Sequence, residues 1–353
     1  MTRYHTIVIG AGQAGLATGY YLSRQGADFV IFDKNESVGD PWRERWDSMH
    51  LFTPAVYNNL PGMTFPGKDD RLPHKDEVAE YLATYVEHFD LPVRLKTPVE
   101  SVTRQGEIYK VETEGDEGYD AQNIVVATGS FQKPHVPSFA PDLDDALLQL
   151  HSSEYQNPQQ LQEGDVLVVG AGNSGTQISL ELAEERQVYL SGPDTGRIPR
   201  TLFGLDIYRW IWPTILQLSV DSWLGRRLAE NAASSGDPLV GITWEDVEQA
   251  GIQRVPRTTG VDNGQPVLDD GHQVDVANVI WATGFKPDYS WIDLPVFQED
   301  GYPEHERGVV KEEPGLYFMG LKYQHRGKSS LIGGVGDDAR YIVEQIAART
   351  PAE

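Results

Sequence analysis

Thr6-Ile-Val-Ile-Gly-Ala-Gly-Gln-Ala-Gly15 decides how this chain is read. A short apolar run makes a strand, three glycines turn the chain, and Leu16 to Arg24 continue at helical spacing. Asp28-Phe-Val-Ile-Phe-Asp33 then gives a second strand that ends in an acid, eighteen residues after the last glycine. In such a unit Gly10 permits the tight turn, Gly12 lets the backbone approach a pyrophosphate, and Gly15 lets helix pack on strand. The helix opens at Gln13, and its N-terminus offers N–H donors and positive potential to phosphates. Asp33 is placed to accept hydrogen bonds from a ribose diol, with Lys34 beside it.

The design recurs in Asp165-Val-Leu-Val-Val-Gly-Ala-Gly-Asn-Ser-Gly175, with a helix from Thr176 to Glu184 and a strand over 187–191. Gly170, Gly172 and Gly175 repeat the three glycine roles, and Asn173 and Ser174 open the helix. The second strand here ends in Ser191-Gly192-Pro193, not in an acid. Arg197 and Arg200 follow within reach of a 2′-phosphate, so the coenzyme is NADPH or NADH with a lean to NADPH or dual use. Asn123-Ile-Val-Val-Ala-Thr-Gly129 and Asn278-Val-Ile-Trp-Ala-Thr-Gly284 also match, each closing its own half. The expected fold class is α/β: two Rossmann-like dinucleotide-binding domains, the second inserted into the first. The first is expected over 1–156 and 285–353, ending in a helix near Asp337 to Ala347. The second is expected over 157–284, with an aromatic-rich insertion near 201–250. Residues 134–141 and 287–295, rich in proline, read as the crossing linkers. Two dinucleotide sites in one chain point to electron transfer between juxtaposed cofactors, FAD in the first cradle and a nicotinamide in the second.

Composition narrows the chemistry. The 353 residues contain no cysteine, which removes thiol nucleophiles, redox disulfides and Cys-ligated metals. The nine histidines show no metal spacing, so no metal is expected. With 53 acids against 29 bases the net charge is −24, and no nucleic-acid partner is expected. No apolar run reaches the roughly 18 residues of a membrane span. The start leads straight into a strand with no signal peptide pattern, and the expected location is cytoplasmic. A homodimer is one assembly left open.

Further segments carry a resemblance. Val38-Gly-Asp-Pro-Trp-Arg43, Gly315-Leu-Tyr-Phe-Met-Gly-Leu321 and Leu331-Ile-Gly-Gly-Val-Gly336 join the two glycine motifs and the paired Ala-Thr-Gly segments. Together they resemble the class B flavin-dependent monooxygenases, the flavin-containing monooxygenase group, over essentially the whole length. The resemblance implies that Trp42 and Arg43 contact the flavin and that the Val99 backbone meets adenine. It also implies FAD contacts from Ala127, Thr128 and Gly129, and from Gln324 near the pyrimidine end. That family's identifying motif, FxGxxxHxxx[FWY], is matched by His151 and Tyr155, while the phenylalanine spacing is lengthened and the glycine is missing. Asn58 or Asn59 stands where the family keeps a flavin-side asparagine, although the pair also reads as turn residues. His325 is a candidate acid–base group. Phe203 to Trp223 reads either as a lid over an apolar pocket or as a helix packed on the core.

The function implied is an FAD-dependent NAD(P)H monooxygenase. It would use O2 to place one oxygen atom, through a peroxyflavin, on the sulfur or nitrogen of a small-molecule substrate. An NAD(P)H oxidase or electron-transfer reductase is the alternative, and a non-catalytic redox sensor is a third. No side chain need act as nucleophile, so few catalytic residues are expected.

Overall fold

The computed structural model describes residues 2–115, 117–235 and 237–349. The first half opens with β1 (Thr2–Ile9), α1 (Gln13–Arg24) and β2 (Phe29–Phe32). α2 (Asp40–Arg43) and α3 (Lys75–Phe89) follow, then β3 (Val93–Arg94), β4 (Val99–Gln105), β5 (Ile108–Thr113) and β6 (Glu117–Val126). β7 (Lys133–Pro134) and β8 (Leu148–His151) lead to β9 (Val166–Val169), α4 (Asn173–Leu182) and β10 (Val188–Ser191). Next come β11 (Arg197–Ile198), β12 (Thr201–Leu202), β13 (Leu205–Asp206), α5 (Tyr208–Ile211), α6 (Trp223–Ser235), β14 (Leu239–Val240) and α7 (Trp244–Gln249). The chain continues through β15 (Gln253–Val255), β16 (Thr258–Asp262), β17 (Gln265–Leu268), β18 (Asn278–Trp281), β19 (Phe285–Lys286), β20 (Leu316–Phe318) and α8 (Val335–Arg349).

Two larger sheets organise these elements. The first has seven strands in the order β3-β2-β1-β6-β5-β4, with β20 also on β6. β1 runs parallel to both β2 and β6, so the glycine turn after β1 stands at the carboxyl ends of three parallel strands. Val8 faces a core with α1, α3 and α8, while Ile7 and Ile9 face a second core with Val102, Tyr109 and Val111. A strand covered on both faces must be apolar throughout, which is why it reads as a continuous run. β4, β5 and β6 form an antiparallel meander, while β3 pairs parallel with β2.

The second sheet has five parallel strands in the order β15-β10-β9-β18-β8. β9 repeats the logic of β1, with Val166 and Val168 in one core and Leu167 and Val169 in another. This sheet also takes in a strand ahead of residue 157. β8 forms the edge strand, with His151 in register with Trp281 of β18. At the start of the proline-rich crossings β7 and β19 pair antiparallel, Phe285 with Pro134.

Candidate functional site

At the first glycine turn Gly10 has φ +108°, a conformation open to glycine. A Cβ on Gly10 would stand 2.6 Å from the Ala127 carbonyl oxygen, and one on Gly15 would stand 1.8 Å from the Gly10 carbonyl oxygen. Both positions are closed by backbone. Gly12 is the opposite case: it caps α1 with extended backbone, and a Cβ there would meet nothing within 4 Å. The turn therefore keeps an open concavity at a helix N-terminus, the shape a pyrophosphate fills. Asp33 sits at its rim. One carboxylate oxygen accepts from Ala11 N at 2.6 Å, and the other accepts from the backbone and side chain of Asn35. A carboxylate accepts about four hydrogen bonds, so capacity remains for a ribose hydroxyl.

The second turn repeats the geometry. Gly170 has φ +114°, with the Ala282 carbonyl oxygen 2.2 Å from its would-be Cβ. Gly175 is closed by the Gly170 carbonyl oxygen at 1.9 Å, and Gly172 again faces open space. The two matching Ala-Thr-Gly segments are thus the backbone walls of the two turns. Gln132 fastens the first wall, donating to Thr128 Oγ1 and the Gly129 carbonyl oxygen. The fit of both cradles to dinucleotide phosphates rests on these backbone distances.

Other expected residues fall into place unevenly. Gln13 and Gln324 lie at the first turn and at the C-terminal segment that reaches it; a Cβ on Gly320 would stand 2.9 Å from the Ala14 Cβ. Gln324 is buried, accepting from Leu321 N and donating to the Arg307 carbonyl oxygen. Val99 starts β4 two residues after Thr97, whose N–H donates to the Asp33 carbonyl oxygen at 2.9 Å. Trp42 packs against the first core, and Lys34 is exposed. Arg43 pairs with Asp40 at 3.0 Å and donates to the Val38 carbonyl oxygen, while its own carbonyl oxygen accepts from buried Lys75.

Asn58 and Asn59 are turn residues here. Asn58 accepts from Thr53 Oγ1 and donates to the Thr53 and Pro54 carbonyl oxygens. Asn59 donates to the Val56 carbonyl oxygen and accepts from Phe65 N. Both amides hydrogen-bond the loop that folds them. In the second half Asn173 is similarly committed, donating to the Pro238 carbonyl oxygen and accepting from Val240 N. Ser174 is exposed beside it. Arg200 does not stand free for a phosphate: it pairs with Asp206 across the β12–β13 hairpin and donates to the Phe52 carbonyl oxygen. Arg197 is half exposed and 3.6 Å from Asp194.

His151 and Tyr155 fasten the end of β8 within the second half of the fold. His151 Nε2 donates to the Gly284 carbonyl oxygen at 3.0 Å, and Nδ1 accepts from Ser153 N. The ring stands edge-on to Phe285, over which the Arg45 guanidinium lies. Tyr155, fully buried, donates to Glu181 at 2.7 Å. His325 is buried with Nδ1 unpartnered and 3.8 Å from the Asp338 carboxylate. The aromatic stretch divides: Tyr208 and Trp212 pack on Tyr57, while Phe203 and Trp223 are exposed. Among the described residues no group of His, Cys, Asp and Glu could hold a metal ion, and no helix is long and apolar enough to cross a membrane.

Burial lowers the pKa of His151, His305, His5 and His325 below the usual value. The unfolded chain then binds more protons than the folded one just below about pH 6.5, so stability falls as pH drops through that window. Below the folded values both states are protonated and these groups add no further slope. The urea midpoint of the protein is expected to fall between pH 7.5 and 5.5, and His151→Gln to flatten that fall. An unchanged midpoint in the unsubstituted chain would refute it.

With this geometry in view, known proteins can be compared. A model of the pyridine nucleotide-disulphide oxidoreductase family matches residues 7–320. An uncharacterized oxidoreductase CzcO-like of Geobacillus kaustophilus is 46% identical over 344 residues, 96% of this chain and 97% of that one. A probable indole-3-pyruvate monooxygenase, YUCCA9 of Arabidopsis thaliana, is 26% identical across 96% of this chain and 88% of its own. Among solved structures, a flavin-containing monooxygenase from Stenotrophomonas maltophilia superposes with a TM-score of 0.81 and 27% identity, covering 99% of both chains. The disulphide chemistry in the family's name is closed to a chain without cysteine. The chain belongs to the pyridine nucleotide-disulphide oxidoreductase family, and within it is a class B flavin-dependent monooxygenase-like protein.

Proposed function

We propose that this chain is an FAD-dependent NAD(P)H monooxygenase that places one oxygen atom on a sulfur or nitrogen nucleophile. The observation that carries it is the duplicated cradle: two open glycine turns, each backed by an Ala-Thr-Gly wall, in one cysteine-free chain. The two sheets are read as Rossmann-like dinucleotide-binding domains, the second inserted into the first. FAD belongs to the first turn, where Asp33 offers its carboxylate to a ribose, and the coenzyme to the second. Bound FAD would supply hydride acceptance from the nicotinamide and activation of O2. The overall reaction takes NADPH, a proton, O2 and the substrate to NADP+, water and the oxygenated substrate.

The chain's own contribution is to bind, orient and exclude water. Helix α1 presents its N-terminal N–H groups to the flavin phosphates, and α4 does the same for the coenzyme. The His151–Gly284 hydrogen bond ties the end of β8 to the segment that follows β18, and the β7–β19 pair joins the two crossings to each other. Tyr57 packs against Tyr208 and Trp212, joining residues 51–57 to the insertion. The absence of cysteine suits a reducing compartment, in keeping with a cytoplasmic location.

Anaerobic addition of one equivalent of NADPH to the flavin-loaded protein is expected to bleach the visible flavin band. Admission of O2 with a thioether present is then expected to yield the sulfoxide. An unbleached band would overturn the whole reading. Hydrogen peroxide in place of sulfoxide, with thioether and amine alike, would leave an NAD(P)H oxidase instead.

A further inference from the structure

A guanidinium stands where the two halves of the fold meet. Trp42 packs against the first core, while Trp46 is buried in a core of the second half, so Arg45 between them is held at the seam. Its backbone N–H donates to the Trp42 carbonyl oxygen at 3.1 Å. The guanidinium carbon lies 5.2 Å from the centre of the Phe131 ring and 5.5 Å from that of Phe285. Those two rings meet edge-on, 5.2 Å apart. Phe131 closely follows Gly129 and Phe285 directly follows Gly284, so the rings continue the two Ala-Thr-Gly walls. A Cβ on Gly129 or on Gly284 would meet nothing within 4 Å, so each wall ends on open space.

Among the described residues the Arg45 side chain makes no hydrogen bond and no ion pair; its contacts are the two phenyl rings. It is half-buried, and burial lowers its pKa, with the charge of Glu44 opposing. A guanidinium keeps its proton in a protein, so a full charge and five N–H donors stand partly out of water. Such a charge costs free energy that an arriving anion recovers. Acids to pair with it were not scarce, since the chain has 53. Arg104, Arg200 and Arg307, which are likewise not exposed, each have a carboxylate: Glu313, Asp206 and Asp338. The aromatic clamp holds the planar donors in place before any ligand arrives, so little freedom is lost on binding.

The two pyrophosphates of the reaction already have places, one at the N-terminus of α1 and one at that of α4. The anion left to answer Arg45 is the substrate's own. We propose that Arg45 binds the carboxylate of an anionic substrate, so that the chain oxygenates thioethers or amines carrying a carboxylate in preference to neutral ones. This rests on the reading of the chain as a monooxygenase. The carboxylate itself is unchanged in the reaction. The sulfur or nitrogen takes one oxygen atom of O2, and the other leaves as water with the hydride of NADPH and one proton.

Turnover of the flavin-loaded protein with methylthioacetate and with its methyl ester tests it, sulfoxide being the product measured. The acid is expected to give a kcat/KM at least about tenfold higher than the ester. In Arg45→Gln the acid is expected to lose about tenfold or more, through KM and not kcat, while the ester loses less than about threefold. Arg45→Lys, which keeps the charge without the planar fork, is expected to fall between. Flavin content and turnover of the ester report that the variants are folded. Equal values for acid and ester in the unsubstituted protein, or equal losses of both in Arg45→Gln, would overturn the inference alone. So would slower bleaching of the Arg45→Gln flavin by NADPH and NADH alike, which would assign the guanidinium to a coenzyme phosphate. Bleaching without sulfoxide from either thioether would overturn the monooxygenase reading and this inference with it.

Discussion

Gly12→Ala is expected to give a folded protein that purifies without colour. Gly12 has φ −79° and ψ −176°, backbone that any residue adopts, so the substitution brings no strain. Its new Cβ would touch no protein atom within 4 Å, so packing does not resist it. The methyl group instead occupies the concavity at the N-terminus of α1, where phosphate oxygens must come within about 3 Å of backbone N–H groups. Losing that approach is expected to weaken FAD by about a hundredfold, or nearly 3 kcal/mol. The flavin-to-protein absorbance ratio and the far-ultraviolet circular dichroism read the two halves of this outcome. Gly15→Ala is the contrast: its Cβ would lie 1.8 Å from the Gly10 carbonyl oxygen, so the turn itself must break. A Gly12→Ala protein with a full complement of flavin would remove the first cradle from the account.

That contrast shows what a sequence can and cannot carry. The two strand–glycine–helix units were legible because every requirement is local: an apolar run, three glycines and a helical period within one stretch of chain. The Ala-Thr-Gly walls were legible as a repeat, but their place against Gly10 and Gly170 was not, because contact across parallel strands has no sequence period. β8 went unseen as part of the second sheet for the same reason; four residues, Leu148 to His151, join β18 from more than a hundred residues away. Asn58 shows what residue type leaves open: an asparagine there suits a flavin contact or a turn alike, and in the fold its buried amide hydrogen-bonds the Thr53 and Pro54 backbone. Arg200 was claimed by Asp206 in the same way.

Gly172→Ala separates the second cradle from the first. Gly172 has φ −81° and ψ −173°, and its Cβ would meet nothing within 4 Å, so the variant is expected to fold and to keep its flavin. The methyl group enters the coenzyme's pyrophosphate space at the N-terminus of α4. Reduction by NADPH at a fixed subsaturating concentration is expected to slow by about a hundredfold. Dithionite needs no cradle and is expected to bleach the flavin at the rate seen in the unsubstituted protein. The pyrophosphate is common to both coenzymes, so NADH and NADPH are expected to suffer alike. A Gly172→Ala protein that NADPH still reduces at full rate would place hydride delivery elsewhere on the chain. The duplicated turn would then be an echo of fold and not of function.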